Sequence, residues 1–543
     1  MISMAKDQGK VFEEFKQTEI SEFFAKNKNM LGFSSTDFAK NLLICVHEYV
    51  TNSIDNAIEA EILPNIEVFI EYDPQYKNSE TEKSNHLILS VNDEGTGIPE
   101  KVIPTIFSKL FQGSKFGVNV QKMGQQGIGS SGVTILSNMT TGKPVYLKTG
   151  NGKQTIEADI AIDIRNNKSL NKIIKKYPST FRGTQLKAYL GDVSYSKGQK
   201  SIEEYLKLIW MANPFSTIIL KTPDGEKFEY KRITEKMPQT PVVSKYHPLG
   251  LAAYDLINLF SSSPSHSLGD FIAHSLQRSS PEKIKELNAI LKTDLFKIKK
   301  DYFQQSQSEG IKLSENVIKA MKQLKWKKPS DESLIPIGSE ILEKSVDELF
   351  KPEFKLVITR DVKAMAGGIP FIVEIGLAYG DQCGKKIEGG NVEPLLIRFA
   401  NRVPLLYDIS KDVLYNALKD IDVSKYIKVE PSKIPLSIIV NVNSTHIPFN
   451  NVSKMAIDSD NDIEQEFKNA VMDGLRKISI YINKKYRLQV LNEHKNTMEK
   501  YIDATSKALS EISDGYRTQI QIKNEFSDML NKIIKSDEND IKR

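Results

Sequence analysis

Between Asp37 and Pro64 the sequence places one long helix, and that helix restricts the fold more than any other segment. Apolar residues recur at Phe38, Leu42, Ile44, Val46, Val50 and Ile54. This near-helical spacing predicts an amphipathic helix over residues 37–62, which Pro64 ends. The next stretch is not helical. Ile66 to Tyr72 and Leu87 to Val91 read as strands joined by a polar loop (Lys77 to Asn85), and glycines then punctuate the chain from Gly95 to Gly132. Further strands are expected at residues 145–149, 155–164 and 184–190. A helix packed on several strands, with glycine loops on one side, is an α+β sandwich.

At 543 residues the chain is too long for one core, and two to four domains are expected. The texture changes near Glu235. His247-Pro248-Leu249-Gly250 opens a run of short helical segments, broken by Ser261-Ser262-Ser263-Pro264 and Ser279-Ser280-Pro281, which reads as a small helical insert. Strands return over about 329–455, including Phe371 to Leu377 and Ile434 to Val442. From Ile463 onward the chain is helix-forming, lysine-rich and nearly free of Gly and Pro. The expected divisions are 1–234, 235–328, 329–485 and 486–543, with no internal repeats.

Composition narrows the classes. Hydrophobic residues at 40% and charged residues at 26% fit a soluble globular protein. No run approaches the roughly 18 apolar residues that span a bilayer, so no membrane association is expected. Met1-Ile2-Ser3-Met4-Ala5-Lys6-Asp7 lacks a signal-peptide core. Cys45 and Cys383 are the only cysteines, which excludes a disulfide framework and a cysteine-rich metal site and points to a cytoplasmic protein. A net charge of +5 is too small to mark a nucleic-acid binder. Lys322-Gln323-Leu324-Lys325-Trp326-Lys327-Lys328 could meet phosphates, but it reads first as a solvated helix end.

The chemistry concentrates in short segments. No G-x-x-x-x-G-K-[ST] pattern occurs, so a Walker-type phosphate loop is absent. Glu48 and Asn52 are four residues apart and share a helix face, where a carboxylate can activate a water and an amide oxygen can bind Mg²⁺. A solvated polar face would look the same. Asp93 ends an apolar strand ahead of Glu94-Gly95-Thr96-Gly97, which suits acceptance of a hydrogen bond from an exocyclic amine and equally suits a type I turn. Gly124-Gln125-Gln126-Gly127-Ile128-Gly129-Ser130-Ser131 precedes an apolar segment, the arrangement that offers amides and a positive helix end to phosphate oxygens. Ser114 and Lys115 could add a hydroxyl and a charge. In one order within about 90 residues, these elements outweigh the bland reading of each.

Together they resemble the ATPase superfamily of gyrase B subunits, Hsp90 chaperones, sensor histidine kinases and MutL, with its Bergerat-type ATP site. Within it, the chain is similar to the B subunits of the type IIB enzymes, the DNA topoisomerase VI family. Glu22 to Lys28 with Leu31-Gly32-Phe33 resembles the family's N-terminal strap, and Phe107 to Phe116 its ATP lid. Arg398-Phe399-Ala400-Asn401-Arg402-Val403-Pro404-Leu405-Leu406-Tyr407-Asp408 and Ser444-Thr445-His446-Ile447-Pro448-Phe449 resemble its transducer domain. The resemblance runs from about residue 12 to 490. It implies an N-terminal ATPase sandwich, a helix-two-turn-helix insert, and a ribosomal-S5-like transducer with long C-terminal helices.

The resemblance also implies roles. Glu48 becomes the general base, Asn52 the Mg²⁺ ligand and Asp93 the adenine reader, with Gly97 beside it and Thr184 in support. Gly124, Gln125, Gln126, Gly127, Ile128, Gly129, Ser130 and Ser131 hold the phosphates, with Ser114 and Lys115. Lys454 reaches the γ-phosphate from the transducer. The implied partners are double-stranded DNA, a second copy of the chain joined on ATP binding, and the topoisomerase VI A subunit in an A2B2 heterotetramer.

Some positions depart from the pattern. His47 stands where a basic residue, usually Arg, is expected, and Glu94 where Asn is common. His47-Glu48 is not a zinc-protease motif, because Thr51 occupies the second histidine position. Asp458-Ser459-Asp460-Asn461-Asp462 fails as an EF-hand at Ile463 and reads as an acidic helix start. An ATP-gated chaperone or a mismatch-repair clamp would share the nucleotide site. The latter would lack the insert.

Overall fold

The computed structural model describes residues 31–76, 84–107, 120–124, 129–163, 168–365, 367–380, 382–427, 433–451, 454–512 and 517–542. Asp37 caps the first helix, α1 (Phe38–Glu59), by accepting from the Lys40 amide at 3.0 Å. The expected amphipathic pattern is exceeded. Fifteen of its 22 side chains are buried, Asn41, His47, Thr51, Ser53 and Asp55 among them. The cause is tertiary: Val403, Tyr407 and Met455, from far along the chain, join the apolar cluster that α1 forms with the sheet beneath it. Lys40 lies over the Tyr407 ring and 3.6 Å from Asp408.

That sheet has eight strands: β1 (Asn65–Tyr72), β2 (Asn85–Asp93), β3 (Val145–Asn151), β4 (Gln154–Ile160), β5 (Lys172–Pro178), β6 (Arg182–Val193), β7 (Thr217–Lys221) and β8 (Lys227–Tyr230). Their spatial order is β8–β7–β1–β2–β6–β3–β4–β5. All neighbours are antiparallel except β1 and β7, which run parallel with Asn65 opposite Thr217. Ile66, Val68 and Ile70 on β1 and Leu87, Leu89 and Val91 on β2 alternate inward. They meet α1, α2 (Gly129–Thr141) and α3 (Ile202–Ala212) in one core, where each buried aliphatic side chain stabilises by roughly 2 kcal/mol. Register brings the site together: Asp93 at the end of β2 stands opposite Thr184 on β6, and Thr184 stands opposite Thr149 on β3.

The helical insert comprises α4 (Ala253–Ser262), α5 (Leu268–Ser275), α6 (Pro281–Leu291), α7 (Lys300–Gln305) and α8 (Gln307–Gln323). Its own core contains Leu256, Phe260, Phe271, Leu287 and Met321. The serine- and proline-rich breaks act as caps. Ser267 accepts from the Asp270 amide at 3.1 Å, and Pro281 starts α6 directly after Ser280.

Next come α9 (Ser339–Phe350) and a six-stranded sheet of β9 (Phe354–Thr359), β10 (Lys363–Ala364), β11 (Pro370–Tyr379), β12 (Leu395–Ala400), β13 (Val403–Pro404) and β14 (Leu436–Ser444). The order is β9–β11–β14–β12–β13, with β10 beside β11. The 52-residue helix α10 (Asn461–Ile512) would be about 78 Å long at 1.5 Å per residue. Ile463, Phe467, Ala470, Val471, Gly474, Leu475 and Ile478 bury its first turns against this sheet. Gly474 packs so closely that a Cβ there would lie 2.0 Å from Leu377 Cδ1. Tyr481 still stacks on Phe354 of β9 at 4.7 Å and Lys485 pairs with Glu353, and further on α11 (Gln519–Lys542) folds back along α10, with Lys523 2.5 Å from Asp503. The whole is the α+β architecture expected from the sequence. Among the described residues no helix is long and apolar enough to cross a membrane.

Candidate active site

Two clusters of polar groups line the edge where α1, α2 and the ends of β2, β3 and β6 meet. In the first, Asp93 is held by three donors. Ser53 Oγ donates to Oδ2 at 2.9 Å, and the amides of Gly95 and Thr184 donate to Oδ1 at 2.9 and 3.1 Å. Burial raises its pKa above the usual carboxylate value, against the pull of these donors. Thr149 Oγ accepts from the Ile98 amide at 2.6 Å and lies 3.5 Å from Thr184 Oγ. Gly97 turns the loop with φ +74°, and a Cβ there would stand 2.3 Å from the Gly150 carbonyl oxygen. Asp93, Gly97 and Thr184 are therefore one assembly.

The second cluster contains Glu48 and Asn52. Asn52 Nδ2 donates to Ser130 Oγ at 3.0 Å on the first turn of α2. Its Oδ1 faces Gly124, 3.2 Å from where a Cβ of that residue would be. Fixing the nitrogen in this way leaves the amide oxygen toward Gly124, a hard acceptor suited to Mg²⁺. Glu48 lies against the start of α2, where a Cβ on Gly129 would fall 1.6 Å from Glu48 Oε2. The Ser131 hydroxyl donates to the Ile106 carbonyl at 3.2 Å.

His47 Nε2 is 3.8 Å from Glu48 Oε1, and Nδ1 is 2.8 Å from Tyr205 OH. Burial pushes the His47 pKa down to about 4, the Glu48 charge opposes this, and Lys454 lowers it further. A neutral imidazole beside a carboxylate is best served with its proton on Nε2, so Tyr205 OH donates to Nδ1. Lys454, at φ +53° and 5% exposed, thus sits within electrostatic reach of the helix that carries Glu48, although 406 positions separate it from that residue.

Sequence reasoning missed Asp55. Its oxygens accept from the amides of Met123 and Gly124 at 3.3 and 3.2 Å, which fixes the start of the glycine segment. The signal was present, because 48, 52 and 55 follow the i, i+4, i+7 rule of one helix face. Ser53 and Tyr205 were missed as well. Ser114, Lys115, Gln125, Gln126, Gly127 and Ile128 lie outside the described residues, as do Glu22 to Lys28.

Residues 43–164, which span α1 to β4, match the family described as histidine kinase-, DNA gyrase B- and HSP90-like ATPase. Residues 329–494 match the family described as topoisomerase VI B subunit, transducer. The B subunit of type 2 DNA topoisomerase 6 from Pyrococcus horikoshii is 34% identical over 541 residues, covering 92% of this chain and 92% of the relative. The protein of the same name from Methanothermobacter thermautotrophicus is 35% identical over 518 residues, covering 94% and 95%. The chain belongs to the family of type 2 DNA topoisomerase 6 B subunits.

Membership sets aside the chaperone and mismatch-repair alternatives. This topoisomerase 6 chain carries the ATPase domain of an ATP-dependent DNA topoisomerase. Glu48, Asn52, Asp93 and Gly129 all fall within its ATPase match, whereas Lys454 falls within the transducer match.

Proposed function

We propose that this topoisomerase chain is an ATP-operated clamp. ATP would bind with its adenine amine on Asp93, supported by Gly97 and Thr184, and its phosphates along Gly124 to Ser131 with Ser114 and Lys115. Asn52 Oδ1 would hold Mg²⁺, which when bound supplies charge neutralisation at the phosphates. Glu48 would orient and deprotonate the attacking water. Neutral His47, fixed by Tyr205, forms no ion pair with Glu48, which favours the action of Glu48 as a base. Lys454 would sense the γ-phosphate, so that loss of that phosphate biases the position of the second sheet.

ATP binding would join two copies around a DNA duplex. Double-strand passage, with relaxation or decatenation, would then take place, and cleavage would fall to the A subunit of an A2B2 heterotetramer. The observation that carries this reading is that Lys454, from the segment after the second sheet, is buried within electrostatic reach of His47, the neighbour of Glu48, because it joins the hydrolytic end of the site to the second sheet. Light scattering tests it, with Mg²⁺ and with or without a non-hydrolysable ATP analogue. A rise from 61.3 kDa to about twice that mass is expected, with DNA relaxation appearing when an A subunit is added. A mass that stays fixed while the analogue binds would rule out the clamp.

A further inference from the structure

Val120 to Gly124 bridges regions distant in sequence. At one end, Asp55 on α1 holds the amides of Met123 and Gly124. At the other, Gln121 is 2% exposed and every polar group of its side chain is used. Its Oε1 accepts from the Ile335 amide at 2.7 Å, and Nε2 donates to the Ile335 carbonyl at 3.2 Å and to Asn443 Oδ1 at 3.1 Å. The Gln121 amide donates to Ser333 O at 2.8 Å, and Asn401 Nδ2 donates to Lys122 O at 3.3 Å.

From Gln121 the hydrogen bonds continue unbroken into the second sheet. Asn443 and Asn441 each donate to Glu374 Oε2 at 2.9 Å. The Glu374 carboxylate also accepts from the Ile337 and Gly338 amides at 2.8 and 2.7 Å. Arg402 donates its amide to Asn441 Oδ1 at 3.0 Å and its guanidinium to Ile335 O and Pro336 O at 3.1 and 2.6 Å. Glu374, Asn441 and Asn443 are fully buried. Such a network favours few arrangements, since a small displacement leaves several buried groups unpaired at once. It ties three parts together: the segment behind Gly124, the exit of the helical insert at Ser333 to Gly338, and strands β11 and β14.

We propose that Gln121 is a positioning residue that transmits occupancy of the nucleotide site to the second sheet, by a route separate from Lys454. The inference rests on the reading of this site as the ATP site. A group bound at Asn52 and Gly124 loads a segment whose other end is Gln121. Displacement of Gln121 moves Ile335 and Asn443, and through them Glu374.

Hydrogen exchange on the full chain tests this, with Mg²⁺ and with or without a non-hydrolysable ATP analogue. In wild type the analogue should change exchange at residues 335–338 by about tenfold. In Gln121→Met, which keeps the side-chain length and removes its polar atoms, the analogue should bind with wild-type affinity and that change should vanish. A purely structural role would raise exchange in both states and leave the nucleotide response intact, which would overturn the proposal. If the methionine variant does not fold, Gln121→Glu, which keeps the acceptor and loses the donor, is read in the same way. Binding of the analogue to wild type without any response at 335–338 overturns this inference alone. A wild-type chain that binds no analogue overturns both it and the ATP-site reading.

Discussion

Gly129→Ala tests the placement of the general base without touching a titratable group. A Cβ at 129 would stand 1.6 Å from Glu48 Oε2, where an ordinary carbon–oxygen contact is about 3.4 Å. The carboxylate must therefore retreat by roughly 2 Å, and displacements of about 1 Å cost on the order of 100-fold in a positioned reaction. Turnover should fall at least 100-fold, or about 2.7 kcal/mol of transition-state stabilisation. Alanine is a better helix former than glycine, by about 0.5–1 kcal/mol in a helix interior, so α2 is not weakened. The backbone amide at 129 is retained, so affinity for a non-hydrolysable analogue should change only a few-fold. Gly132→Ala is the control on the same helix, because its Cβ would meet Phe33 at an ordinary 3.7 Å. Steady-state ATPase rates, analogue titration and thermal melting of both variants decide the matter. Combining Gly129→Ala with Glu48→Gln should cost no more than Glu48→Gln alone, since both remove the same function. Turnover within threefold of wild type in Gly129→Ala would refute the placement of Glu48 as the base.

The other substitutions probe separate groups. Glu48→Gln should bind the analogue normally and abolish measurable turnover, and normal hydrolysis would remove it from the base role. Asp93→Ala removes the acceptor at the end of β2 and should weaken adenine nucleotide binding by at least tenfold, the scale of a charge-assisted hydrogen bond of about 1.5–3 kcal/mol; unchanged affinity by calorimetry would exclude the adenine role. Lys454→Met should slow hydrolysis or reduce DNA passage per ATP, and wild-type values of both would separate it from the site. His47 carries a pH signature. Its pKa is lowered from 6.5 to about 4 in the fold, so the unfolded chain binds more protons between those values and stability is lost as pH falls through that window. The loss is at most about 3 kcal/mol at pH 4 relative to pH 7. His47→Gln should flatten that part of the urea-midpoint profile, and an identical slope would disprove the buried neutral state.

Features legible in the sequence were local, and those it hid depended on distant contacts. The helix with Glu48 and Asn52, the strand ending at Asp93 and the glycines ahead of α2 were readable because helical spacing, strand alternation and glycine placement act within a few residues. Asp55 was readable by the same rule and was overlooked only because its partners are backbone amides, which leave no mark on composition. The burial of α1 was different. An amphipathic pattern assumes solvent on one side, and here Val403, Tyr407 and Met455 join the core around that helix. Glu374 illustrates the point most sharply: within Phe371-Ile372-Val373-Glu374-Ile375 it reads as the one outward residue of a strand, yet it is fully buried. Its four donors come from residues 337, 338, 441 and 443, which are linked in turn to Gln121, 253 positions before Glu374. A buried carboxylate is tolerated only where such donors converge. The same convergence makes the acid a poor choice for stability alone, since an apolar side chain of similar size would avoid its desolvation cost. Glu374 is joined to Gln121, and so to the segment behind Gly124, through Asn443 of β14; under the proposed relay, its converging donors make it the element most sensitive to small displacements there.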